Sequence, residues 1–178
     1  QFSDLSFDLL GNWKNLQWPL SGSSRYVSRQ GELKLTGNAD DYRFTLNGDI
    51  GGTDIPQGEL LAKGKGNTEQ ITLEDFQGDI LEGKLGLTGK VSWKPIVSWE
   101  TQIDASDINP GVITSDWPGK LSLSATSSGQ IKDEKLFVDA ELRQLTGTLR
   151  ERALSGSGKF SMDPAKISLQ QLVLNSGQ

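Results

Sequence analysis

Apolar and polar residues alternate with a period of two along most of the chain. Between Leu81 and Ile103 the odd positions carry Leu85, Leu87, Val91, Trp93, Val97, Trp99 and Ile103, with Gly83, Gly89 and Pro95 among them. The even positions carry Lys84, Thr88, Lys90, Ser92, Ser98, Glu100, Gln102 and Asp104. Successive side chains of a strand point to opposite faces, so this stretch has one apolar and one wet face. The same alternation appears at Leu5, Phe7, Leu9 and Trp13, at Leu33 and Leu35, and at Tyr42, Phe44, Leu46 and Ile50. It returns at Leu121 and Leu123, at Leu136, Val138, Ala140 and Leu142, and at Leu154, Phe160 and Met162. Turn-forming residues separate the runs: Asn38 to Asp41, Gly51-Gly52, Gly66-Asn67, Lys94-Pro95, Ser127 to Gly129, Lys132 to Glu134 and Asp163-Pro164. No segment shows helical spacing with caps. The pattern predicts an all-β chain of roughly ten to twelve strands joined by short turns, a mostly antiparallel meander.

A weak repeat overlies the alternation. Gly31-Glu-Leu-Lys-Leu35, Gly58-Glu-Leu-Leu61, Gly83-Lys-Leu-Gly-Leu87, Gly119-Lys-Leu-Ser-Leu123 and Gly158-Lys-Phe160 resemble one another at irregular spacing. That irregularity argues against a propeller or a strict solenoid and fits hairpins laid side by side in one elongated sheet. A sheet with one apolar face must hide it. Gly64, Gly66, Gly83, Gly89, Gly156 and Gly158 fall on or beside that face, where missing side chains let the sheet bend. The expectation is therefore a strongly curved sheet folded into an open groove with an apolar concave face. A closed β-sandwich, with the same residues as core, is the alternative that periodicity leaves open. Left open, such a groove exposes more apolar surface than a monomer ordinarily tolerates and reads as a binding site.

Composition narrows the chemistry. The 178 residues include no His and no Cys, and 18 Lys+Arg stand against 23 Asp+Glu for a net charge of −5. The first two absences remove a Ser-His-Asp triad, imidazole and thiolate metal ligands, a cysteine nucleophile and disulfides. The acidic balance argues against nucleic acid, which requires basic surface. Apolar residues make up 34% of the chain, and 21 glycines bring the count into the globular range. No run approaches a membrane span and no signal peptide is evident. The chain opens at Gln1 and stops at Asn175-Ser-Gly-Gln178 within a pattern. Residues 1–178 thus read as a single segment of a longer protein, with any membrane anchor outside it.

Candidate motifs favour structure over catalysis. Gly78-Asp-Ile-Leu-Glu-Gly83-Lys84 has phosphate-loop spacing, but Leu85 stands where a magnesium-binding Ser or Thr belongs, and the stretch reads as strand. Asp104-Ala-Ser-Asp107-Ile-Asn109 lacks EF-hand spacing and reads as a turn. The acidic pairs Asp40-Asp41 and Glu74-Asp75 sit in turn-like contexts with no base beside them. No catalytic residue, metal site or cofactor is expected. Of the five Trp, Trp93 and Trp99 lie on the apolar face, Trp13 closes an apolar run, and Trp117 is expected to anchor a core.

The order Trp93-Lys-Pro95-Ile-Val-Ser-Trp99, then Asn109-Pro110-Gly111, then Trp117-Pro118-Gly119, closing on Gly129, resembles the C-terminal half of the TamB family. These are inner-membrane-anchored periplasmic subunits of the translocation and assembly module. The resemblance implies a long, taco-like β-groove with an apolar interior in the periplasm of Gram-negative bacteria. It implies an outer-membrane barrel partner, TamA, met by the parent protein rather than by this segment. It implies a role in outer-membrane β-barrel and autotransporter assembly and secretion, and in moving phospholipid between the membranes. The motif residues fall at turns and strand ends, so no catalytic site carries over. The groove lining expected to meet a nascent barrel protein or an acyl chain is Leu33, Leu35, Phe44, Leu46, Leu85, Leu87, Val91, Trp93, Val97, Trp99, Ile103, Leu121 and Leu123.

Overall fold

A computed structural model describes residues 5–19, 23, 25–53 and 56–177; Gln1 and Gln178 lie outside them. Among the described residues the chain forms eleven strands and one short 3-10 turn. The strands are β1 (Phe7–Trp18), β2 (Tyr26–Asn38), β3 (Asp41–Gly52), β4 (Gly58–Gly66), β5 (Gln70–Ile80), β6 (Gly83–Ser92), β7 (Val97–Ile108), β8 (Gly119–Lys132), β9 (Lys135–Leu149), β10 (Arg152–Asp163) and β11 (Lys166–Ser176). They make one antiparallel sheet whose spatial order is the chain order, and β1 does not pair with β11, so the sheet stays open. At ~4.8 Å per strand the sheet extends roughly 50 Å across its strands.

The hairpins close by two kinds of local chemistry. Leu81-Glu82, Asp133-Glu134 and Arg150-Glu151 are two-residue connections with both residues at positive φ. That left-handed pair has the twist that flanking strands require. In the other kind, a side-chain oxygen gathers backbone amides. Asn38 Oδ1 accepts from Asp40 and Asp41, Asn67 Oδ1 from Glu69 and Gln70, and Asp163 Oδ1 from Ala165 and Lys166, all at 2.8–3.0 Å. The Asn109-Pro-Gly and Trp117-Pro-Gly motifs brace each other between β7 and β8. Asn109 Oδ1 accepts from the Gly111 and Gly119 amides at 3.0 and 3.1 Å, and its Nδ2 donates to Glu82 at 2.6 Å. A Cβ on Gly111 would stand 2.8 Å from Pro118 Cα, so this turn excludes larger residues.

Several expectations change. Gly51-Gly52 closes β3 and Glu74-Asp75 lies inside β5, so neither forms a turn. Ser127 to Gly129 is not a turn but the interior of β8. Asp104 to Ile108 continues β7, and the turn begins only at Asn109. Trp117 anchors no core: it is 48% exposed, with the Arg150 guanidinium 5.8 Å from its ring. The phosphate-loop spacing resolves as the β5–β6 hairpin. The glycine-led repeat marks the even strands, opening β4, β6 and β8 and lying inside β2 and β10.

A dry interior is missing. Only Ala62 and Ala105 are buried apolar residues among those described, and no large side chain is fully buried. No second layer faces the sheet among the described residues, which excludes the closed sandwich.

Candidate functional site

Residues directly opposite one another on paired strands project from the same side of a sheet. Following the register from strand to strand shows what each face carries. Leu35 pairs with Phe44 and Leu33 with Leu46; Phe44 then pairs with Gly64 and Leu46 with Ala62. Ala62 continues to Phe76, Leu87, Ile103, Ala125 and Leu142. A parallel row runs Gly78, Leu85, Ala105, Leu123, Leu145 and Gly156. Val91 pairs with Trp99, Val97 with Ile131, and Leu121 with Ile108. Twelve of the thirteen expected lining residues therefore sit within strands on one continuous face. Trp93 lies just past β6, held by its indole N–H donating to Thr68 O at 2.7 Å.

The opposite face is hydrophilic. Asp79 meets Lys84 at 2.9 Å, Glu74 meets Lys65 at 3.1 Å, and Glu141 meets Lys159 at 3.5 Å. An open hollow of about 650 Å³ on this side is edged by Glu100, Asp139, Glu141 and Lys159. No group of acidic residues is placed to hold a metal among the described residues.

The apolar face is partly sheltered although nothing covers it. Leu35, Phe44, Leu46, Leu85, Leu87, Trp99, Ile103, Leu121 and Leu123 are half-buried, while Leu33, Val91, Trp93 and Val97 are about two-fifths exposed. Gly58, Gly64, Gly78 and Gly83, all in register with this face, are buried outright. In a single sheet such shelter comes from neighbours on the same side leaning together, as they do on the inside of a curve. Aromatic rings complete the floor. Trp13 crosses over Gly31 of β2 towards Gly48 of β3, and Trp99 covers Gly129 of β8. Phe44 lies over Gly64, where a Cβ would approach its ring to 2.7 Å, and Tyr42 covers Gly66. Each is a direct cross-strand partner of its glycine.

Periodicity alone misses part of this face. The apolar phase slips by one residue inside several strands: Leu73 to Phe76, Ala105 to Ile108, Leu142 to Leu145 and Leu169 to Leu172. At each slip the strand carries an extra residue against its neighbour, a β-bulge that bends the strand and restores the apolar side chains to the same face. A three-residue step between apolar positions is the signal that would have found Phe76, Leu145 and Leu172.

One buried charge serves this floor. Asp49, only 6% exposed, accepts from Arg29 Nε at 2.5 Å, Gln57 Nε2 at 2.8 Å and the Gln30 amide at 3.1 Å. Arg29 and then the Gln30 amide hold its carboxyl down to about 2. The Ser28 hydroxyl donates to Asp49 at 3.3 Å and accepts from the Trp13 indole at 2.7 Å. The bulge of β2, between Val27 and Gly31, is thereby fastened beneath Trp13.

Comparison with known proteins identifies the family. Residues 2–178 match the family described as TamB, N-terminal domain. A relative, the translocation and assembly module subunit TamB of Haemophilus influenzae, is 27% identical over 132 residues, covering 74% of this chain. The chain spans about a tenth of that relative's length. No solved structure matches. The matching domain is the N-terminal one, so the C-terminal placement suggested by the Trp-Pro and Asn-Pro-Gly motifs is not upheld. Those motifs brace turns, and a meander needs such turns wherever it lies, so they report fold rather than position. The chain belongs to the TamB family.

Proposed function

We propose that this chain is a groove segment of a non-enzymatic scaffold of the translocation and assembly module, sheltering hydrocarbon in transit between the inner and outer membranes. The observation that carries this reading is the uncovered apolar face running across all eleven strands. Each CH₂ moved from water onto such a face gains ~0.8 kcal/mol, so a long acyl chain is retained without any specific contact. The interior of the sheet supports hydrocarbon over polypeptide. Its backbone amides are spent in the ladders, and no buried side-chain polar atom lacks a partner among the described residues. A polypeptide laid there would give up backbone hydrogen bonds to water with nothing in return, at a cost of several kcal/mol. In this reading the parent protein is anchored in the inner membrane, spans the periplasm and meets TamA through another part of its length.

A second reading has its own observation. Among the described residues β11 pairs only with β10, and its Ile167, Leu169 and Leu174 are 57–69% exposed. A nascent outer-membrane or autotransporter strand alternating apolar and polar residues would add to this edge by backbone pairing, with its apolar side continuing the groove.

A photocrosslinker at Val97 in the parent protein separates the two, since labelled phospholipid supports the first and labelled precursor alone overturns it. A carboxylate at Val91, which is 39% exposed, remains hydrated, so Val91→Glu costs about 1 kcal/mol or less of stability while abolishing transfer. Leu87→Glu behaves alike in an open groove. Global unfolding of both variants would contradict it.

A further inference from the structure

Trp13 and Trp99 are 86 positions apart, on β1 and β7, yet they are built the same way. Each ring occupies the space that a Cβ would take on the glycine opposite it, Gly31 for Trp13 and Gly129 for Trp99. Each indole N–H donates to a serine of that same neighbouring strand: Trp13 to Ser28 at 2.7 Å and Trp99 to Ser127 at 3.2 Å. A Cβ stands off a sheet, so a ring filling that space lies across the next strand instead of rising into the groove. The glycine supplies the recess and the serine fixes the ring in it. With its N–H turned to the serine, each indole presents an apolar face upward.

We infer that these two Trp-Ser-Gly units determine the clearance of the groove, and so its selectivity for a single hydrocarbon chain, a conclusion that rests on the groove reading above. The units stand six strands apart, roughly 29 Å along the sheet. An upright indole at either place would obstruct a chain lying along the floor. The glycines at positions 31 and 129 thus act as specificity-determining residues although they contribute no side chain. The repetition also explains why Ser127 to Gly129, a turn-like tripeptide, is held inside a strand: small residues there accommodate Trp99.

The test uses dibromostearate, a single-chain fatty acid whose bromines quench tryptophan, with the 178-residue chain. The native chain binds and its tryptophan emission is quenched. Gly31→Ala, where the three nearest atoms to a Cβ all belong to the Trp13 ring, lifts that ring and weakens binding about tenfold. Gly86→Ala is the control, because a Cβ there meets only ordinary contacts, the nearest 3.6 Å away. In the double variant Gly31→Ala/Trp13→Ala the obstruction is gone and binding returns to near the native value, a recovery that simple loss of packing would not produce. Native-like binding by a folded Gly31→Ala variant, or failure of the double variant to recover, overturns the inference. If Gly31→Ala does not fold, Ser127→Ala releases the Trp99 ring without added volume. Weaker binding by that variant sustains the inference, and binding and quenching equal to the native chain overturn it. A native chain that does not bind dibromostearate at all overturns the groove reading itself, a result distinct from any of these.

Discussion

Asp49 shows how a single side chain is committed. Its carboxylate is almost enclosed, and four donors converge on it from the bulge of β2 and from Gln57. Its folded pKa, about 2, lies below the value near 3.9 of an unfolded chain. Folding is therefore favoured by the ionised form, and that contribution is complete above about pH 4 and lost as pH falls towards 2. Asp104, held below its usual value chiefly by the Gln102 side chain, adds a loss of the same sign. Melting temperatures measured between pH 7 and pH 2.5 should fall for the native chain. They should fall less for Asp49→Asn, which starts lower because the β2 bulge has lost its anchor. An equal fall in both would show that Asp49 does not carry the acid sensitivity. The same variant should broaden the Trp13 environment, because Ser28 is tied to Asp49.

Individual strands are bent by insertion. The extra residues fall on β5, β7, β9 and β11, and on β2 at the other end of the sheet, while β4, β6, β8 and β10 run without one. In β5, Glu74 and Asp75 together oppose the single residue Thr88. Removing Glu74 leaves Leu73 and Phe76 two positions apart, so both stay on the apolar face while β5 loses its bend. We expect the Glu74 deletion to lower the melting temperature by several degrees, since β5 must then straighten between neighbours that follow its bend. Glu74→Ala, which loses only an exposed ion pair with Lys65, should change stability by about 0.5 kcal/mol or less. Similar melting of the two variants would show that the bulge is dispensable.

At the scale of the molecule, the fold has no core in the usual sense. Continuous ladders satisfy the backbone, and leaning side chains and aromatic rings over glycines shelter the apolar face only in part. Small-angle scattering should therefore report an elongated particle, and a dye that fluoresces on apolar surfaces should bind the native state. A compact globular profile with no dye binding would contradict an open sheet. In the 178-residue chain by itself β11 is paired on one side, which predicts association of that chain that grows with concentration. Leu172→Lys together with Leu174→Lys should shift sedimentation towards the monomer without altering the melt by more than about 1 kcal/mol.

Much of this was legible in the residues themselves. Alternation is a local property of an extended backbone, so strand character, the number of strands and the two-faced sheet follow directly from the order of Leu, Val and Phe against Lys, Glu and Thr. So do the hairpin turns at Asn38, Asn67 and Asp163, whose side chains cap their own backbone. Pairing, by contrast, belongs to residues distant in the chain. That Gly129 lies beneath Trp99, that Phe76 stays on the face of Leu73 across a bulge, and that Asp49 fastens the strand beneath Trp13 depend on register between strands, which a linear pattern does not contain. The choice between an open groove and a closed sandwich is likewise tertiary. Both are built from strands with an alternating face, and only the absence of a facing layer in the fold distinguishes them.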